Sequence, residues 1–169
     1  MAPRRAGRSR VRPVADAGVT LIEIMTTLML GSILMATAVW TFTRYTASQE
    51  QGATADDVSS ALRYAGQRAT AEEITYCVHF DPAAGSWSTF RYACSGGGAV
   101  QVDSGAVRGS RTSLTAAAFV VPTGGTSTDV RFTPRGTASD GSVDVVRSGT
   151  SSRYRISVEG LTARVATTR

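Results

Sequence analysis

The sequence predicts an α+β protein: one long N-terminal transmembrane α-helix whose second half packs on an antiparallel β-sheet domain. Three observations carry that expectation. Residues 24–43 contain no charged residue and no proline. No proline interrupts the chain between Pro13 and Pro82, and apolar residues recur along much of that stretch at steps of three and four. From Ile74 onward the pattern changes, and β-branched and aromatic residues alternate with polar ones between clusters of glycine, serine and proline.

The length of 169 residues suits one globular domain and an anchor. All 18 cations are arginine, and their placement says more than the net charge of +5. Arg4, Arg5, Arg8, Arg10 and Arg12 face only Asp16 at the N-terminus, whereas the rest of the chain carries 13 arginines against 12 acids. Positive charge concentrated just before an apolar run holds that end in the cytoplasm during insertion. We read it as topology rather than as a nucleic-acid footprint.

The charge-free run of residues 24–43, at ~1.5 Å per residue, spans roughly 30 Å, the thickness of a bilayer core. Trp40 and Tyr45 stand near its far end, where aromatic rings favour the interface. Glu23 stands at its beginning, and a carboxylate inside hydrocarbon costs about 2.5–3.5 kcal/mol unless it finds a partner. Two simpler readings exist. A secretory signal would be cut at Ala36-Thr37-Ala38, but it would not place a charge at the front of the apolar region or continue that region through Val39, Trp40 and Phe42. A plain uncleaved anchor accounts for the span but not for Gly18 and Glu23 together.

"Gly18-Val19-Thr20-Leu21-Ile22-Glu23" resembles the class III signal of type IV pilins and type II secretion pseudopilins, with Val19 where the family usually has phenylalanine. The resemblance implies a pilin-like fold and a leader at residues 1–18. It implies cleavage after Gly18 by a prepilin peptidase, N-methylation of the new terminus at Val19, and an assembly role for Glu23. It also implies partners: other pilin or pseudopilin subunits, the peptidase/methyltransferase, an inner-membrane assembly platform and membrane lipid. The location would be the inner membrane, N-terminus cytoplasmic, and then the filament. The electrostatics fit. Cleavage creates an ammonium at Val19, four residues before Glu23, so on a helix the two charges would share one side about a turn apart. The alternative is a Glu23 solvated at the headgroup level.

The helix is expected over residues 21–71, with residues 19–45 as its transmembrane and assembly half and residues 46–73 as its amphipathic half. In the second half Ala55, Val58, Leu62, Ala65 and Ala69 form the apolar stripe, and Asp56, Asp57, Arg63 and Arg68 lie on other faces. Residues 74–169 form the β-rich domain, with strands expected over 75–80, 87–92, 99–103, 117–121, 129–133, 142–147, 153–158 and 162–166. "Asp81-Pro82-Ala83-Ala84-Gly85-Ser86" is the turn between the first two. That hairpin brings Cys77 and Cys94 into one neighbourhood. In an exported domain they would form a disulfide; the alternative is two free buried thiols.

The C-terminal third adds a second resemblance. "Phe132-Thr133-Pro134-Arg135-Gly136" and "Arg153-Tyr154-Arg155-Ile156-Ser157-Val158-Glu159-Gly160" are similar to the GspH/FimT group of minor pilins. So is "Leu62-Arg63-Tyr64-Ala65-Gly66-Gln67-Arg68-Ala69". Some members of that group bind DNA through a C-terminal Gly-Arg-x-Arg segment. Here the corresponding place reads "Gly160-Leu161-Thr162-Ala163-Arg164", without the paired arginines, so Arg153, Arg155 and Arg164 are the remaining candidates for a DNA patch.

Catalytic patterns are weak. His79 is the only histidine and alternates with Cys77, but two ligands do not complete a zinc shell, and no third group orients them for nucleophilic chemistry. The acid pairs Asp56-Asp57 and Glu72-Glu73 read as helix surface, and the glycine clusters precede no lysine. The expectation is a structural subunit, a minor pilin or pseudopilin, with no cofactor, no metal and no enzymatic activity. The alternative is a membrane-anchored or secreted β-rich protein that binds a ligand such as DNA.

Overall fold

The computed structural model describes residues 19–121 and 124–169. The leader expected over residues 1–18, Gly18 included, lies outside the described residues. Among those described, one helix, α1 (Leu21–Ala71), precedes nine strands: β1 (Tyr76–Asp81), β2 (Ser86–Arg91), β3 (Val100–Ala106), β4 (Thr112–Val120), β5 (Thr126–Ser127), β6 (Asp129–Phe132), β7 (Gly141–Arg147), β8 (Arg153–Val158) and β9 (Val165–Thr168). Two compact units meet between Thr41 and Phe42.

The first unit contributes the apolar half of α1. Its large side chains are exposed, among them Leu21, Ile22, Leu28, Leu34 and Val39. This helix is long and apolar enough to cross a membrane. Its hydroxyls do not oppose that. Thr26, Thr27, Ser32, Thr37 and Thr41 each donate to a carbonyl three or four residues back, at 2.8 to 3.0 Å. Each polar group is thus satisfied within the helix and asks nothing of the surrounding medium.

In the second unit α1 buries one stripe: Ala47, Gln51, Thr54, Ala55, Val58, Ser59, Ala61, Leu62, Ala65 and Ala69. The stripe is rich in alanine, so the helix backbone comes close to the strands beneath it. Gly66 shows how close, since a Cβ there would stand 3.3 Å from the Phe132 ring. The helix ends where Glu73 takes a left-handed conformation (φ 55°).

The strands form two antiparallel sheets rather than one: a four-stranded sheet in the order β3-β2-β1-β6 and a five-stranded sheet in the order β5-β4-β7-β8-β9. One core joins both sheets to α1, with Val58 and Leu62 of the helix, Tyr76, Val78 and Phe80 of β1, Leu114 and Phe119 of β4, and Val143, Val145 and Ile156 of β7 and β8. Phe80 and Phe119, one from each sheet, stack with ring centroids 5.8 Å apart. Each fully buried aliphatic or aromatic side chain of this kind contributes about 1.5–3 kcal/mol.

Two strand expectations need correction, and one strand was not expected. β4 begins at Thr112 instead of residue 117, because Thr112, Ser113 and Leu114 pair with Arg147, Val146 and Val145 of β7. The alanines that follow sit at a register irregularity where Ala116 is left-handed (φ 51°), which hides the alternation. The last strand begins at Val165 instead of residue 162, because Ala163 is also left-handed (φ 51°) and turns the chain before pairing resumes. β5 has only two residues and exists through its pairing with the end of β4.

Candidate functional site

The residues singled out from the sequence lie in separate places. At the N-terminus, Val19 and Thr20 precede the helix, which begins at Leu21. Val19 stands one residue before the cap, outside the helix that carries Glu23 in the uncut chain. Thr20 is the helix cap. Its Oγ1 accepts from the Glu23 N–H at 3.3 Å, and its carbonyl accepts from Glu23 at 3.0 Å and Ile24 at 3.2 Å. Glu23 is then the third helical residue, in a Thr-x-x-Glu arrangement, where a carboxylate also favours the positive end of the helix dipole. This local role was readable in the spacing of Thr20 and Glu23, and the sequence reading missed it.

The attachment of α1 to the β domain depends on polar residues that no motif announced. Gln51 is 1% exposed. Its Nε2 donates to the carbonyls of Val145 (3.1 Å) and Ser152 (3.0 Å), and its Oε1 accepts from the Ser152 hydroxyl at 3.2 Å. Farther along, Thr54 Oγ1 accepts from the Arg108 N–H at 3.0 Å, and the Arg108 guanidinium pairs with Asp57 at 2.7 Å. At the helix end Glu72 takes Arg68 on one oxygen (2.8 Å), and Arg91 (2.9 Å) and the Tyr76 hydroxyl (2.8 Å) on the other. Arg91 in turn donates to the Tyr76 oxygen at 3.0 Å, and this hydrogen bond, with the Glu72 charge, raises its pKa. Three clasps thus tie α1 to the β domain, two in adjacent turns near Gln51 and Asp57 and the third just past the helix end.

Cys77 and Cys94 are joined as a disulfide, with Cα atoms 5.3 Å apart. Register alone does not bring them together, because Cys77 faces Phe90 across the hairpin. Tyr92 does, by adopting a left-handed conformation (φ 71°) that folds Cys94 back toward β1, with its N–H on the Thr75 carbonyl at 2.7 Å. The two sulfurs and the Asp129 carboxylate lie within 4.8 Å of one another, but sulfurs bonded to each other offer no thiolate to a metal or substrate. His79 instead meets Asp129 at 2.6 Å across β1 and β6.

The arginines considered for DNA are partly consumed. Asp144 is 3% exposed on β7. It accepts from Arg155 Nε at 2.8 Å and Nη2 at 3.0 Å, with Arg153 at 3.5 Å. The Arg155 fork holds the Asp144 carboxyl below the usual carboxylate range, against the opposing effect of burial. Arg153 and Arg155 therefore neutralise a buried acid, and Arg164 stands apart beyond β8.

An open groove of about 1010 Å³ runs along α1 beside β2 and β3, lined among others by Tyr64, Trp87, Val102 and the Asp57–Arg108 pair. It contains the hydroxyls of Ser60 and Ser104 but neither the histidine nor a cysteine.

Residues 54–162 match the family model of the type II transport protein GspH. That segment holds most of the packed half of α1, from Thr54 on, and most of the β domain, and it excludes the Gly18–Glu23 motif. Two solved structures share the fold. The minor pilin FimU of Pseudomonas aeruginosa is 14% identical, with a TM-score of 0.57 over 74% of this chain and 92% of that one. The minor pseudopilin EpsH from the type 2 secretion system of Vibrio cholerae is 10% identical, with a TM-score of 0.55 over 70% of this chain and 94% of that one. No curated protein sequence matches the chain.

Proposed function

The chain belongs to the GspH family and is a minor pilin or pseudopilin, and from that premise we propose how it is processed, anchored and assembled. A prepilin peptidase cuts between Gly18 and Val19 and methylates the new amine. The apolar half of α1 anchors the subunit in the inner membrane, with the N-terminus cytoplasmic and the β domain outside. An assembly platform then extracts it into a filament of related subunits. The observation that carries this reading is the exposed apolar half of α1, which has one acid, Glu23, in its first turn. Such a surface needs lipid or neighbouring helices to cover it.

Within that cover Glu23 needs a counter-ion, and cleavage supplies one at Val19. An unpaired charge in low dielectric is heavily penalised, so the pair selects the axial position at which a subunit joins its neighbours. The third helical position offers a competing local role for the same side chain, and two variants separate them. Glu23→Gln retains the hydrogen-bonding shape of a cap and removes the charge; Glu23→Ala removes both. Charge pairing expects both variants to insert and be cleaved while incorporating into filaments at a small fraction of the normal level. Incorporation is read by shearing and quantitative immunodetection, and cleavage by mass spectrometry of the mature terminus. Normal incorporation of Glu23→Gln would assign the residue to capping. An uncut Gly18–Val19 bond would remove the counter-ion and the mechanism with it.

A further inference from the structure

A basic pocket adjoins the point at which α1 acquires its first charge after the apolar run. Arg44 follows residues 24–43 directly, within the same helix. Arg111 just precedes β4 and Arg147 ends β7, next to each other because Thr112 pairs with Arg147. The turn after β7 completes the wall. The Ser148 N–H donates to the Arg111 carbonyl at 2.8 Å, and the Thr150 hydroxyl donates to the Arg147 carbonyl at 3.2 Å. Arg44, Ala47, Arg111, Arg147 and residues 148–150 enclose about 620 Å³, and no carboxylate is among them.

The rest of the domain treats arginine differently. Arg68 and Arg91 share Glu72, Arg108 has Asp57, and Arg153 and Arg155 have Asp144. Arg111 and Arg147 make no ion pair among the described residues. The neighbouring guanidinium groups of Arg111 and Arg147 repel one another unless an anion joins them, and planar guanidinium forks match phosphate oxygens. The turn is open as well: Gly149 is left-handed (φ 78°), with nothing within 4 Å of where a Cβ would lie. Ser148 and Thr150 place hydroxyls in the same wall.

We propose that this pocket binds the phosphate of an anionic phospholipid in the leaflet from which α1 emerges. The ligand chemistry is a phosphate monoanion carrying a small polar headgroup, and the volume suits it. The anion chemistry follows from the pocket alone. Assigning the phosphate to a lipid rests on the membrane-anchored reading, because only then does Arg44 lie at the bilayer surface. Such a contact would hold the subunit at the leaflet until extraction.

The test uses the full chain in a neutral detergent. Native mass spectrometry measures retention of dioctanoyl phosphatidylglycerol, dioctanoyl phosphatidylcholine and inorganic phosphate. The expected result is preference for phosphatidylglycerol and a loss of about 25-fold in affinity for Arg111→Gln/Arg147→Gln, at about fivefold per arginine. The Arg111→Lys/Arg147→Lys chain, which keeps the charge but not the fork, should lose less affinity than the Gln double variant, and an unchanged Tm of the Gln double variant excludes misfolding as the cause. Arg164→Gln, outside the pocket, should bind normally. Equal binding of the two lipids, or unchanged binding by the Gln double variant, would overturn the site. Displacement of phosphatidylglycerol by equimolar inorganic phosphate would overturn the lipid assignment. Carbonate extraction of membranes reads the anchor separately, so loss of insertion with an intact pocket counts against the anchor alone.

Discussion

Replacing Asp144 by asparagine tests how the β domain uses its arginines. The side chain is buried on β7 and receives two hydrogen bonds from Arg155, at 2.8 and 3.0 Å. A hydrogen bond to a charged group contributes about 1.5–3 kcal/mol, but the Arg155 side chain is half exposed and regains water when its partner is lost. The burial cost of the carboxylate is also relieved in the variant. We therefore expect a net loss of about 2 kcal/mol, which at roughly 4 °C per kcal/mol for a domain of this size is about 8 °C in Tm. The assay is thermal unfolding of the full chain in neutral detergent, followed by the β-sheet circular dichroism signal, from pH 7 downward. Arg155 lowers the pKa of Asp144 in the folded protein, so as pH falls the unfolded chain takes up its proton first, near ~3.9. The advantage of the unchanged protein is therefore full above that value, shrinks below it, and vanishes once the folded carboxyl is protonated too. A Tm difference that stays constant from pH 7 to pH 3, or no difference at pH 7, would refute the ion-pair account.

Two further perturbations address the attachment of the helix and the hairpin. Gln51→Leu strands the carbonyls of Val145 and Ser152 and should destabilise the domain by about 2–4 kcal/mol, with accelerated amide exchange at residues 145 and 152–154; exchange unchanged there would show that the clasp is dispensable. Cys77→Ser with Cys94→Ser opens a loop closed over a sequence separation of 17 residues, at a cost of about 3 kcal/mol. A reducing agent should shift the Tm of the parent protein but not of the variant, and equal shifts in both would place the stabilisation elsewhere.

The N-terminal half of the protein was legible because its physics is local. A charge-free run of residues 24–43 and the absence of proline up to Pro82 specify a long helix whatever surrounds it, and α1 ends at Ala71 as its pattern indicates. The stripe of Ala55, Val58, Leu62, Ala65 and Ala69 is likewise periodic, and all five residues are buried. The strands with clear alternation, β1, β2 and β8, were also readable.

What required the folded chain depends on partners distant in sequence. The division into two sheets follows from β6 pairing with β1 while β4 turns to β7, and nothing local to these strands states the choice. β4 starts five residues early because Leu114 finds Val145 opposite it. Cys94 reaches Cys77 through one left-handed residue, Tyr92, a conformation that tyrosine adopts under tertiary constraint rather than by preference. The arginines show the same limit, since composition counts charges but does not say which are neutralised. Arg155 reads like any surface cation until Asp144 is seen beneath it, and Arg111 and Arg147 become neighbours of Arg44 only after β4 has paired with β7. Periodicity is carried by each segment alone, whereas pairing energy belongs to two segments at once and exists only when both are in place.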